Sequence, residues 1–564
     1  MHKAGVMLAV PALLSNGLLN HNDVFSFDEG YYSLGSILLS LAFCTLLRIK
    51  SIEKISDEPP GELGKLIGLD RIPEIKTLRG KIADLSQNEQ GKRWMGELSR
   101  QWMEMYSDLS GVLYIDGHND VYYGKTNKLP RHYISRLRLA MRATADYWVC
   151  DKLGQPFFSI SKSISGGMID VIKEDIIPVL EKDVPGQPTS EALNQDAHLH
   201  KFMIVYDREG YSPDFMIDMW EKRVACCTYN KYARDPWPED EFAEYEIEDQ
   251  YGEKSKVLLA ERGVLLEGKE TENLPVPMKV TEVELSGQGL QVSTTNKRTR
   301  KKRQIWVREV RKIRDDGNQT SILTTNYKLS MVLIGVYMFA RWCQENFFKY
   351  MMHNFGLDMV ISNFFTGISD TVEMVNPAYR ELEKQIKALN AKLKHRESKF
   401  GSLHYDNEIN SKSFDGLTGK KAKLQEDIAI YRGQLEELKA KRKTIPHKIA
   451  YGDLPEEEKF KGVYNQRKQV VDTIKLVACR SEIALASIIK KHMSNPERAR
   501  ALMEQFFKTN ADIKVNHQNK TLQIQLHHQA TRHEDLILGQ LCGYLNETET
   551  VFPGTDLKLQ YCLV

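Results

Sequence analysis

The spacing of apolar positions changes several times along this chain of 564 residues, and each change marks a segment. Ser33–Leu47 (SLGSILLSLAFCTLL) is apolar all round, which predicts a fully buried helix; it is shorter than the roughly 20 residues that cross a bilayer. Lys3 with AGVMLAVPALLSNG imitates a short signal peptide, but Pro11 interrupts it and no clean small-x-small site follows. Pro59-Pro60-Gly61 then breaks the chain ahead of a short helical pattern, GELGKLIGL, and a DRIP turn. Between Glu74 and Leu85 the apolar residues Ile75, Leu78, Ile82 and Leu85 follow the i, i+3, i+4 rhythm of an amphipathic helix. Residues 1–98 therefore read as a helical domain with a helix-turn-helix. Lys76, Arg79 and Lys81 would lie on its outer face, available to phosphates. The bland alternative is an αα-hairpin that supports the next domain.

From about Gln101 the period shortens. SGVLYIDGHNDVYYGK reads as a β-hairpin turning near Gly117-His118-Asn119, and YWVCDKLGQPFFSIS as a strand pair turning at Asp151–Gly154. HKFMIVYD is a buried strand that ends on Asp207, with helical stretches at Gly166–Leu180 and Pro213–Arg223 on either side. Mixed strands flanked by helices predict an α/β layer over 99–225. Residues 226–326 read as a β-rich insertion built from KVLLAERGVLLEG, MKVTEVEL, LQVSTTN and QIWVREVRKI. A helical return at 327–375 completes the layer. Residues 376–450 carry two heptad seams, Leu382-Ile386-Leu389-Leu393 and Ile428-Tyr431-Leu435-Leu438, which predict an antiparallel coiled-coil hairpin closed by Pro446. The segment 451–564 reads as an α+β region: a long helix (Gly462–Met493), two strands turning at His517–Lys520, and a last strand, KLQYCLV.

Charge adds one local feature. The net charge of +2 gives no global field, yet ten of the eighteen residues from Lys297 to Arg314 are basic. Lys297, Arg298, Arg300, Lys301, Lys302 and Arg303 form its dense end, with Trp306 among the residues behind it. Each such cation placed against DNA displaces a condensed counterion, so the patch is a candidate phosphate contact; a solvated hairpin loop is the alternative. The eight cysteines include no CxxC pair and read as buried, reduced thiols. His198 with His200, and His527 with His528, have no further ligand at metal spacing.

Chemistry is carried by acids. Asp116 follows VLYI and Asp207 follows FMIVY, so each carboxylate emerges where an anchored apolar strand ends. Far downstream, Tyr337, Arg341, Glu345 and Lys349 are each four apart and share one helix face. An exposed Arg–Glu–Lys ladder is the alternative for that face, but the helix is too apolar for a free surface. Convergent carboxylates of this kind suit two Mg²⁺ ions about 3.5–4 Å apart. Asp358 and Asp370 are rival third acids.

These residues together resemble insertion-sequence DDE transposases with an RNase H-like core, in the branch that carries a β-strand insertion before the catalytic Glu. The resemblance rests on Asp116, the Asp207-Arg208-Glu209 step, the β-rich insertion, RWCQENFFKYM and GKLIGLDRIPEIKTLRGKI, and covers about residues 1–375. It implies two-metal, in-line attack on DNA phosphodiesters, first by water and then by a 3′-hydroxyl. Asp116, Asp207 and Glu345 would hold Mg²⁺, with Mn²⁺ as a substitute, and Arg341 and Lys349 would grip the transposon-end phosphates. The family pattern puts a Tyr three residues before the Arg and a Lys seven after the Glu. Here those positions are Met338 and Met352, with Tyr337 and Lys349 as displaced candidates.

The expected partners are double-stranded DNA, as transposon ends and target, and further copies of the chain. No membrane is expected, and the location is cytoplasmic, on the nucleoid. Two other readings use the same residues: a DNA-binding scaffold without chemistry, and a nuclease that hydrolyses strands without joining them.

Overall fold

The computed structural model describes residues 1–27, 30–124, 128–134, 137–162, 167–233, 235–248, 254–271, 301–314, 316–357, 365–402, 411–463 and 466–564. Two compact units result: residues 1–123, 131–364 and 463–564 form the first, and residues 124–130 and 365–462 the second.

Five strands make the centre of the first unit: β1 (Val112–Val121), β2 (Leu139–Cys150), β3 (Pro156–Lys162), β4 (Phe202–Tyr206) and β5 (Val224–Tyr229). They lie in the order β3–β2–β1–β4–β5. Strand β2 is antiparallel to β1 and β3, whereas β4 and β5 run parallel to β1. The β2–β3 turn falls at Asp151–Gly154, as the sequence predicts. Asp151 Oδ1 accepts from the backbone N–H of Leu153 and Gln155, and Gly154 takes a φ of +76°, which favours glycine.

The predicted hairpin at Gly117-His118-Asn119 is not formed. Pairing between β1 and β2 is unbroken from Tyr114–Cys150 to Val121–Ala143, straight through those three residues. Gly117 is not among the positive-φ glycines, and β2 is long enough to offer a ladder partner throughout. Asp116 therefore sits in the middle of a strand rather than at its end.

The insertion does not build a separate sheet. Its strands β6 (Ala243–Glu248), β7 (Lys254–Thr271), β8 (Lys301–Ile313) and β9 (Gln319–Thr324) continue the central one, in the order β5–β9–β8–β7–β6. A short strand, Arg131–Ile134, borders β2 at the opposite edge. The expected strands MKVTEVEL and LQVSTTN, with Lys297, Arg298 and Arg300, lie outside the described residues.

Alternation sorts the strand residues between two faces. Tyr114, Met203, Val205, Ala225 and Cys227 pack on one face with Ile334 and Met338; Leu113, Ile115, Ile204, Tyr206 and Cys226 fill the other. Burial on both faces explains why VLYI and FMIVY read as continuous apolar runs.

The helices that frame the site are α1 (Leu34–Leu46), α2 (Ile75–Leu85), α3 (Gln90–Met105), α4 (Pro213–Glu221), α5 (Met331–Ala340), α6 (Trp342–Tyr350) and α7 (Gln466–Lys490). As predicted, α1 is buried along its length, and among the described residues no helix is long and apolar enough to cross a membrane. Helices α1, α2 and α3 all pack on α7. Residues 1–98 and 463–564, which read as parts of separate segments in the sequence, thus contribute to one unit, while 451–462 fall in the other. The C-terminal strands Ala511–Asn516, Thr521–Leu526 and Lys558–Leu563 form a small sheet of their own.

In the second unit, helices Pro377–Ser402 and Ser411–Thr444 pair antiparallel. Contacts Glu383–Arg442, Arg396–Asp427 and Glu397–Arg432 run in opposite chain directions, and Ile386, Ile428 and Leu435 are buried between them.

Candidate active site

Register brings the two aspartates together. Ile115 pairs with Tyr206 across the parallel β1–β4 ladder, so Asp116 is the next residue on β1 and Asp207 the first residue past the end of β4. Neighbouring strands lie roughly 4.8 Å apart. Asp116 falls on the face of Tyr114, two residues earlier on the same strand. Each acid is oriented locally: Asp116 Oδ1 accepts from the Gly117 N–H at 2.9 Å, and Asp207 Oδ1 from the Arg208 N–H at 2.7 Å.

The third acid arrives on a helix that is interrupted. Helix α5 is capped by Ser330, whose side chain accepts from the Leu333 N–H, and ends at Ala340. Helix α6 begins at Trp342 and carries Glu345 in its first turn. Arg341 stands at the junction. Its Nη1 lies 3.5 Å from Asp116 Oδ2, and its Nη2 lies 4.0 Å from Asp207 Oδ1 and 3.3 Å from Glu345 Oε1. Two oxygens that flank one nitrogen cannot be further apart than the sum of those two lengths. Three chain segments therefore deliver three carboxylates to one guanidinium.

The site is graded from inside to outside. Side-chain exposure rises from 12% at Arg341 and 16% at Asp116 to 29% at Asp207 and 39% at Glu345. Burial pushes the Asp116 carboxyl up from 3.8 to about 6; Arg341 and the Gly117 N–H pull it down, while Asp207 and Glu345 raise it further. One guanidinium leaves the cluster short of positive charge. The Arg341 guanidinium also lies 5.9 Å from the ring centroid of Tyr229, whose hydroxyl burial pushes up.

Other predicted residues are placed differently. Tyr337 packs in the apolar cluster beside Met338, and its carbonyl accepts from the Tyr114 hydroxyl at 2.8 Å. Lys349 is exposed on α6, one turn beyond Glu345. Among the rival acids, Asp358 lies outside the described residues and Asp370 belongs to the second unit.

In the amino-terminal region Lys76 is exposed, Arg79 pairs with Glu53, and the Lys81 ammonium sits 4.3 Å over the Phe27 ring. At the edge of the basic patch, Lys301 is described by its backbone alone. Lys302 binds Glu267 at 2.9 Å, and Arg303 binds Asp218 at 2.7 Å and Glu221 at 3.0 Å. Behind it, Arg308 pairs with Glu261 and Arg311 with Glu309, so part of the patch is matched within the sheet.

Three supports escaped the sequence. His118, on the Asp116 face of β1, stacks on Phe348 of α6 with centroids 5.4 Å apart and rings inclined at 20°. Beneath them Lys468 of α7, fully buried, reaches Asp120 at 3.3 Å, Asp146 at 2.6 Å and Asp472 at 2.5 Å. Lys475 Nζ donates to the Gly356 carbonyl at 2.9 Å, just past the helical run that holds Glu345. Only His118, two residues after Asp116, could have been singled out by strand alternation.

The donors fit Mg²⁺ in kind, since they are hard carboxylate oxygens on a partly open surface. Among the described residues, no three His, Cys, Asp or Glu side chains stand close enough together to hold a metal ion. Arg341 occupies the space between them.

No curated protein matches the chain. A protein-family model described as "Transposase protein" matches residues 1–296 and again residues 282–564. The two matches take in the whole length, including every residue of the acidic site, and the chain belongs to this transposase family.

Proposed function

We propose that this transposase cleaves DNA strands at transposon ends and transfers them to target DNA, using Asp116, Asp207 and Glu345 as the metal-holding triad. The observation that carries the reading is the convergence of three acids from distant segments on Arg341. The strand order β3–β2–β1–β4–β5, with one antiparallel meander and two parallel additions, supports an RNase H-like core. On this reading Asp116 and Asp207, side by side at the edge of the core, and Glu345 from α6 would hold two Mg²⁺ ions, or Mn²⁺ in their place. Bound there, the metals would supply a deprotonated attacking oxygen and neutralise charge on the scissile phosphate and leaving oxygen.

The chain's own residues set the stage for that chemistry. Strand β1 fixes Asp116 between two paired neighbours, and β4 fixes the Asp207 backbone. Arg341 holds the three acids in one set and neutralises part of their charge. The exposed side of Glu345 and Lys349 leaves α6 open to a DNA phosphate. The active form is an oligomer on duplex DNA.

The test uses full-length protein, Mg²⁺ and a duplex carrying the flanking ends of its own gene. Asp116→Asn, Asp207→Asn and Glu345→Gln should each abolish cleavage and keep DNA binding. Nicking by all three at the wild-type rate would remove the triad from the mechanism. Cleavage without strand joining by the wild type would leave a nuclease.

A further inference from the structure

Between Val121 and Ala145 the chain has six Lys and Arg residues and no Asp or Glu. Three of the six are described on one small extension of the sheet, where Arg131–Ile134 pairs with the first half of β2. Arg131 lies directly opposite Arg142, and Arg138 stands at the entry to β2 with a φ of +52°. Like charges directly opposite one another weaken a strand pair.

Packing does not account for the extension. Its apolar support is a cluster of Val121, Ile134 and Ala143 with Met141 alongside. Large side chains are instead turned to solvent: Tyr133 is 64% and Leu139 60% exposed. Arg131 and Arg138 are exposed too, and neither has an ion-pair partner among the described residues. Lys302 and Arg303 differ, being committed to carboxylates.

Register ties this surface to the acidic site. Asp116 pairs with Trp148, and residues 146, 144 and 142 follow on the same face of β2. Arg142 pairs with Arg131, and Ala140 with Tyr133, so these also belong to the Asp116 face. Trp148 and Arg142 are six residues apart, which is about 20 Å along a strand. Along duplex DNA the same length is roughly six base pairs.

We propose that this extension is a DNA-backbone contact: Arg131 and Arg138 bind phosphates of the duplex some six base pairs from the phosphate at Asp116. The contact is independent of sequence, because guanidinium–phosphate pairing carries no base information. It rests on the reading of Asp116, Asp207 and Glu345 as the cleavage site.

The experiment titrates salt against binding of full-length protein to its end duplex, with Asp207→Asn as the background so that cleavage cannot intervene. The double variant Arg131→Gln/Arg138→Gln should lower the slope of log K against log salt by roughly 1.8, at about 0.9 per lost phosphate contact. It should also lose backbone protection about six base pairs from the cleavage point. Arg131→Lys/Arg138→Lys should restore the slope. An unchanged slope and footprint in a double variant with wild-type circular dichroism would overturn the proposal. A lowered slope in the double variant, with no cleavage of the end duplex by protein that retains Asp207, would support this contact and sink the catalytic reading instead.

Discussion

Arg341 and Asp116 are 225 positions apart in the chain, yet the guanidinium Nη1 lies 3.5 Å from the carboxylate Oδ2 at the centre of the acidic site. The same side chain touches Asp207 and Glu345, so it competes with any cation the three acids could hold. Unit charges about 4 Å apart interact by roughly 4 kcal/mol at an effective dielectric of 20, before solvent screening. Removing the guanidinium should therefore tighten divalent binding to DNA-free protein. Arg341→Gln is expected to raise Mn²⁺ affinity about tenfold or more, equal to roughly 1.4 kcal/mol after screening. Electron paramagnetic resonance titration reads this directly. Unchanged or weaker Mn²⁺ binding would show that Arg341 does not stand in for the metal.

The aromatic stack of His118 and Phe348 joins the strand of Asp116 to the helix of Glu345. Phe348 also meets Trp148 edge-on at 6.4 Å, and Phe347 lies 5.8 Å from the same indole. Phe348→Ala should cost about 3–5 kcal/mol of stability as a buried truncation. Phe348→Leu keeps an apolar side chain of most of the volume and loses chiefly the stacking, about 0.5–1.5 kcal/mol. The leucine variant should stay folded and bind DNA normally while its cleavage rate falls, because Glu345 loses one constraint on its position. A leucine variant with a wild-type cleavage rate would make the stack merely structural.

How much of this was legible in the sequence depends on range. Asp116 and Asp207 could be singled out because each follows an apolar run, and the helical spacing of Arg341, Glu345 and Lys349 was visible over a few residues. Register was not visible. VLYIDGHNDV contains a Gly-His-Asn step that locally suggests a turn, and only the length of β2 forces it straight. The local pattern over 226–326 suggested strands, but such a pattern does not say that β6–β9 extend the central sheet. Lys468 was hidden for the same reason. Its three carboxylate partners come from β1, β2 and its own helix, and two of these are more than 300 residues away in the chain.

Lys468 supplies a prediction about folding. Burying one ammonium among three carboxylates is tolerable only while the set stays together, since a lone buried charge is not compensated. Lys468→Met should destabilise the protein by about 3–5 kcal/mol, seen as a large fall in melting temperature or as loss of soluble protein. Adding Asp146→Asn should recover part of that loss, because one uncompensated carboxylate is removed. If the single variant melts with the wild type, the cluster is not what holds α7 against β1 and β2.

Asp151 predicts how stability varies with pH. Burial pushes its carboxyl up from 3.8 to about 6, although the Gln155 and Leu153 N–H groups and Arg480 pull it down. The folded state therefore holds this proton more tightly than the unfolded chain does. Between about pH 4 and 6 the folded state binds more protons, so stability falls as pH rises and the full penalty is present above pH 6. Two pKa units correspond to roughly 3 kcal/mol. Asp151→Asn keeps an oxygen to accept the two backbone N–H groups but cannot ionise. Wild type should thus lose stability relative to this variant on going from pH 4 to pH 7. Melting curves of both proteins at the two pH values decide it. If the difference between them does not change with pH, Asp151 is not an ionising group whose burial opposes folding.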